Sequence, residues 1–124
     1  MKLVKTVEEV VDVTQAWRQG GERIALVPTM GWFHQGHLSL MRMARTLGSR
    51  CIVSLFVNPI QFGPREDLAA YPRDLDRDCR LAEEAGVDVL FAPAVEEMFE
   101  PQFQTRVSLS DISRGLCGAD RPGH

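Results

Sequence analysis

Residues 28–40 read PTMGWFHQGHLSL and carry two of the three histidines in the chain. His34 and His37 flank Gly36, between an apolar run, RIALV, and a helical pattern, LSLMRMARTLG. A helix that starts near Gly36 directs unsatisfied amides and a partial positive charge toward whatever precedes it. Such a terminus suits phosphate. Gly36 has no side chain, so a flat or charged ligand can approach the backbone there. Histidines three apart project to the same side of one turn. Each can donate a hydrogen bond to a phosphoryl oxygen, or carry positive charge where negative charge builds up.

Two other chemistries compete for the same residues. A histidine pair at this spacing could bind metal, but no third ligand is near in sequence and Cys51, Cys79 and Cys117 are scattered. The pair could also be structural, the commoner meaning of H-x-x-H alone. The glycine and the strand-to-helix position favour a nucleotide, with no protein-held metal.

The elements that must position this segment follow from periodicity. Residues 6–21, TVEEVVDVTQAWRQGG, read as a helix with a Thr6–Glu9 capping box and a glycine stop at Gly20 and Gly21. Its expected buried face is Val7, Val10, Val11, Thr14 and Trp17. RIALVP is a short strand. A helix from about Gly36 to Leu47, closed by Gly48, presents Leu38, Leu40, Met41, Ala44 and Leu47 to a sheet. CIVSLFVNP lacks strict alternation and suits a strand covered on both faces. YPRDLDRDCRLAEEAGVDVLFAP holds another helix and strand, with Pro72 in the first turn, Asp74 and Asp76 at the positive end, and Leu75, Cys79 and Ala82 buried. Arg73, Asp74, Asp76 and Arg77 read as a solvated face. TRVSLS, residues 105–110, is a candidate strand, with Asp111 capping a short helix.

Strand and helix alternate, which indicates an α/β domain with a parallel sheet. Ligands of such sheets bind beyond the carboxyl ends of the strands. PTMGWFHQGH and NPIQFGP both follow strands, so they should meet at one edge. The loop NPIQFGPREDLAAYP is long for a structureless connection, as functional loops often are.

Composition narrows the field. The 124 residues suit at most one domain, with 44% hydrophobic and 25% charged residues. A net charge of −3 gives no reason to expect nucleic acid or an anionic membrane as partner. No apolar run is long enough for a membrane span, and MKLVKTVEEVVDV lacks a signal-peptide core. Three scattered cysteines fit free thiols in a reducing cytoplasm. The final GADRPGH has no helix stop or polar tail, so a truncated chain is expected.

H-x-G-H after a strand resembles the signature of the nucleotidyltransferase superfamily that includes class I aminoacyl-tRNA synthetases. The longer segments VPTMGWFHQGHLSL, VSLFVNPIQFGPREDLAAYPRDLDRD, AGVDVLFAPAVEEMF and RPGH resemble the pantothenate synthetase family. The likeness runs from about Ile24 to His124 and takes in all three histidines; NPIQFGPREDL-x-x-YPR is its most specific part.

The resemblance implies a Rossmann-like parallel sheet with helices on both faces (the nucleotidyltransferase fold), incomplete at its C-terminus. Residues 1–124 would be the nucleotide- and pantoate-binding domain, without the C-terminal lid. It implies ATP-dependent joining of pantoate to β-alanine through pantoyl adenylate, with magnesium on the ATP phosphates and a homodimeric complete protein. His34 and His37 would be catalytic, with His37 the better proton donor because it lies closer to the helix amides. Met30, Gly31, Trp32, Phe33, His34, Gln35, Gly36 and His37 would wrap ATP. Gln61, Met30 and Asn58 would bind pantoate, and Gln61 also β-alanine. Asn58 could equally be a turn residue. Phe62 and Met30 could form an apolar wall or belong to the core, and Tyr71 reads as packing at a helix entry.

This chain departs from the family at Trp32 and Phe33, where a smaller residue and leucine are usual, and at Cys117, where an acidic residue is common. The family's lysine–aspartate motif and serine–arginine loop are absent from these residues. Two alternatives therefore stand beside the ligase: a non-catalytic nucleotide-binding fragment or half of a split protein, and another H-x-G-H adenylyltransferase. Members of the latter typically carry G-x-F-D-P-x-H.

Overall fold

The computed structural model describes residues 1–62, 68, 70–105, 107, 109 and 111–121. Four strands form one parallel sheet: β1 (Lys2–Val4), β2 (Ile24–Thr29), β3 (Arg50–Leu55) and β4 (Val89–Phe91), in the order β1-β4-β3-β2. Helices α1 (Val7–Gln19), α2 (Gln35–Leu47) and α3 (Leu75–Glu84) connect them. β1 is an element that periodicity did not suggest; three residues are too few to show a pattern.

The sheet is covered on both faces, as continuous apolar runs require. On one face Val27, Cys51, Val53 and Leu90 pack against Leu38, Met41 and Ala44 of α2 and Ala82 of α3. On the other, Val4, Ile52, Val89 and Phe91 meet Val10, Val13 and Trp17 of α1. The α1 capping box forms as expected: the Glu9 amide donates to Thr6 Oγ1 and the Thr6 amide to Glu9 Oε2. The inner face of α1 differs from expectation. Val7 and Val11 are exposed and Val13 packs instead, because the line Val10, Val13, Trp17 follows one side of the helix.

On α2, Leu38, Met41 and Ala44 are buried as expected, whereas Leu40 and Leu47 are exposed, with Met43 between them. These three lie on the side turned from the sheet. Pro72 precedes α3 rather than entering it; Asp74 is the N-cap, accepting from the Arg77 amide at 2.9 Å. Gly86, at φ +81, follows the last turn of α3, where a left-handed residue ends the helix.

Beyond β4 lie the short helix α4 (Val95–Met98), a 3-10 turn (Ile112–Arg114) and α5 (Cys117–Asp120). Asp111 makes no side-chain cap for that turn and instead pairs with Arg114 at 3.3 Å. Of the candidate strand 105–110, Arg106, Ser108 and Ser110 lie outside the described residues, and Thr105, Val107 and Leu109 belong to no strand. No helix among the described residues is long and apolar enough to cross a membrane.

Candidate active site

β2 and β3 run side by side in register, Thr29 opposite Leu55, so the segments that follow them leave from the same edge. The Phe56 amide still donates to the Thr29 carbonyl at 3.0 Å, which ties the two exits together. The two loops therefore leave the carboxyl edge from neighbouring strands, as expected.

His34 is the N-cap of α2, with extended backbone. Its Nδ1 accepts from the Gly36 amide at 3.0 Å, and its own amide donates to Nδ1 of His37 at 3.3 Å. Each ring thus satisfies an amide that the helix start leaves without a partner. The rings lie 4.1 Å apart, centroid to centroid. With Nδ1 accepting, the proton of each neutral ring sits on Nε2, which leaves two N–H donors at the mouth of a helix.

Two expectations change here. The space above Gly36 is occupied by the His34 ring: a Cβ would lie 2.8 Å from its Cε1, so the glycine first makes room for the histidine. And His34, not His37, is the ring bonded to an amide inside the helix. His37 is half-buried. Burial lowers its pKa below the ordinary imidazole value, the neighbouring His34 lowers it further, and Asp78 opposes both.

The rest of the loop is held from below. Gly31 has φ +84, and a Cβ would stand 3.0 Å from Asp78 Oδ2 and 3.1 Å from Leu55. Trp32 is also left-handed, at φ +53, which costs a non-glycine residue about 1–3 kcal/mol. Asp78, only 1% exposed, accepts from the amides of Trp32 at 2.7 Å and Phe33 at 2.8 Å. Arg77 donates to the Phe33 carbonyl at 2.9 Å, pairs with Asp78 at 3.4 Å and lies 5.0 Å from the Trp32 ring centroid. Arg77, read as part of a solvated face, thus also bonds the loop, with its side chain 36% exposed. Phe33 is fully buried in the core and its N–H and C=O are both engaged, so it shapes the loop. Asp78 went unnoticed in the sequence because nothing in RDLDRDC distinguishes one acidic residue from another.

In the second loop Asn58 caps the 3-10 turn Pro59–Gln61, its Oδ1 accepting from the Ile60 amide at 3.1 Å. The turn role weighed for Asn58 is therefore observed. Gln61 is exposed, and its carbonyl accepts from Arg121 at 2.6 Å. Phe62 meets Tyr71 edge to face at 5.8 Å, consistent with a packing role for the tyrosine. The motif residues 63–67 and 69, and His124, lie outside the described residues. A cleft of about 280 Å³ opens beside the loops, walled by Met30, Trp32, Phe56, Arg73 and Pro93 among others; His34, His37, Asn58 and Gln61 are not in its lining. Among the described residues no three His, Cys, Asp or Glu are grouped to hold a metal.

Fold and loop together define a Rossmann-like α/β domain with a histidine-capped helix start at its carboxyl edge. A family model described as pantoate-beta-alanine ligase matches residues 2–124. The chain belongs to that family. It is 56% identical over 124 residues to a pantothenate synthetase of Desulfotalea psychrophila, an alignment covering 100% of this chain and 43% of the relative. With that of Trichlorobacter lovleyi it shares 53%, covering 100% and 44%. A crystal structure of pantothenate synthetase from Thermus thermophilus superposes with a TM-score of 0.87 at 48% identity, covering 100% of this chain and 44% of that one. Pantoate-beta-alanine ligase from Francisella tularensis, complexed with beta-gamma ATP and beta-alanine, gives 0.92 at 33% identity, covering 100% and 48%. The chain thus spans 43–44% of the length of these curated relatives.

Proposed function

We propose that this chain supplies the phosphate-handling part of an enzyme that condenses pantoate with β-alanine at the expense of ATP. In the first step a pantoate carboxylate oxygen attacks the α-phosphorus, the bond to the bridging oxygen breaks and pyrophosphate leaves. In the second the β-alanine amine attacks the acyl carbon of pantoyl adenylate, AMP leaves with the bonding pair, and the nitrogen gives up a proton. The observation that carries this reading is the pair of rings at the start of α2, each with Nδ1 satisfied by an amide and Nε2–H free to donate. Family membership supports the identity of the acid and the amine.

The roles divide by position. His34 and His37 donate to the phosphoryl oxygens as charge gathers on them, the kind of stabilisation that dominates such transfers. Residues 30–37 form the wall against ATP, with Phe33 acting through the loop's shape. Met30, Gln61 and Asn58 face pantoate, and Gln61 later meets β-alanine. An amide side chain both donates and accepts, which suits hydroxyl and carboxylate together. Imidazoles and amides fit phosphate oxygens rather than magnesium, and both Asp78 oxygens are already taken. Magnesium would therefore be held by ATP and water, where it offsets phosphate charge.

A cytoplasmic location and a homodimeric complete protein belong to the same proposal. Free Cys51, Cys79 and Cys117 support a reducing compartment. Exposed Leu40, Met43 and Leu47 support burial of α2 against further protein. The 124 residues by themselves should bind nucleotide weakly and make no pantothenate, because His34 and His37, the donors among the described residues on which this reading rests, both project from one helix start. The test is a chimera in which residues 1–124 replace the matching part of the Desulfotalea psychrophila relative. Formation of AMP and pantothenate that requires ATP, pantoate and β-alanine is expected. A folded chimera that binds all three and forms neither product would refute the reading.

A further inference from the structure

We infer that Asp78, braced by Arg77, is a positioning residue that sets the two histidine rings from the opposite side of the loop. The proposal rests on the reading of His34 and His37 as phosphate donors, and deepens it. The residue belongs to α3, far along the chain, yet it is nearly fully buried beneath residues 31–33. A carboxylate is costly to bury unless its oxygens are bonded. Here Oδ2 takes the Trp32 amide at 2.7 Å and Oδ1 the Phe33 amide at 2.8 Å.

These two bonds fix the residues where the chain turns from left-handed backbone, Gly31 at +84 and Trp32 at +53, into the N-cap. Arg77 closes the arrangement by donating to the Phe33 carbonyl at 2.9 Å, one residue before His34. The Phe33 ring is anchored in the core and lies 5.6 Å from the His37 ring, so its placement is passed directly to that histidine. Neither Asp78 nor Arg77 needs to touch substrate in this role. Release of the Trp32 amide would let the strained turn relax and rotate the N-cap, and displacement by about 1 Å is enough to slow an oriented reaction about 100-fold.

Asp78→Asn tests this with little change of shape, since it places an amide donor against one of the two backbone donors. The chain has only three histidines, so their ring nitrogens can be followed individually in the 15N-labelled protein. Wild-type His34 and His37 are expected as single Nε2–H tautomers. In Asp78→Asn they should become tautomer mixtures, whereas Asp76→Asn, an exposed change on the same helix, should leave them unaltered. Arg77→Met removes the brace alone and should shift the same two rings less; it is the variant to read if Asp78→Asn does not fold.

In the chimera, Asp78→Asn should lower kcat about 10- to 100-fold per folded molecule, with the KM for ATP within about twofold. Unchanged ring signals in a folded Asp78→Asn protein, or in Arg77→Met where the former does not fold, overturn the proposal. So does a loss of activity that only tracks the amount of folded enzyme. A failure of the ligase reading itself is distinguishable: the chimera would then be inactive while the rings still respond to Asp78.

Discussion

The Gly36 amide lies 3.0 Å from Nδ1 of His34, and this bond makes the first histidine a helix cap, beside the phosphate-donor role proposed for it. The two roles are separable by substitution. His34→Ala should lower stability by the roughly 0.5–2 kcal/mol typical of losing a cap. His34→Asn caps through its own oxygen and should retain most of that stability. Chemical denaturation of the three proteins checks this; equal destabilisation by Ala and Asn would contradict the capping role.

The bond between the His34 amide and His37 predicts a pH dependence. The folded-state pKa of His37 lies below the ordinary value of 6.5, chiefly through burial. As pH falls below that ordinary value the unfolded chain takes up a proton that the folded chain resists, so stability should decline down to the folded pKa. Protonation of Nδ1 also removes the acceptor for the His34 amide. Stability should therefore be full above about pH 6.5 and decline as pH falls below it, and His37→Gln should flatten that decline. An unchanged slope in His37→Gln would assign the effect elsewhere.

How far the sequence reveals such a site depends on distance along the chain. The Thr6–Glu9 box, the glycine stop of α1 and the histidine-bearing turn were legible because all their partners lie within a few residues. The two-faced sheet was legible from unbroken apolar runs. Asp78 was not, since its partners Trp32 and Phe33 stand 46 and 45 residues away. The exposed Leu40 and Leu47 show the converse: composition marks them apolar, but only packing tells which side of α2 meets the sheet.

Gly31 should not tolerate a side chain. Gly31→Ala forces a Cβ into left-handed backbone, 3.0 Å from Asp78 and 3.1 Å from Leu55. A loss of about 1–3 kcal/mol is expected, read by thermal or urea unfolding. Wild-type stability in this variant would show that the turn is not held as described.

For the second loop, Asn58→Asp preserves the oxygen that caps Pro59–Gln61 but removes the amide donor. If Asn58 contacts pantoate, this change in the chimera should raise the KM for pantoate several-fold with the loop intact. If it serves the turn alone, Asn58→Asp should be neutral. Gln61→Ala should weaken pantoate binding and spare ATP, because it strands substrate hydroxyls. Separate titrations of the two ligands check this, and equal losses would indicate a collapsed loop.

The most direct measurement is pantoate-dependent exchange of labelled pyrophosphate into ATP, without β-alanine, by the chimera and its His34→Asn and His37→Gln variants. It isolates the step in which charge gathers at the α-phosphoryl group. The parent should exchange, and each folded variant should be slower by roughly 100- to 1000-fold, the scale of losing one charge-stabilising donor. Exchange near the parent rate in both variants would contradict the assignment of the two histidines to phosphoryl transfer.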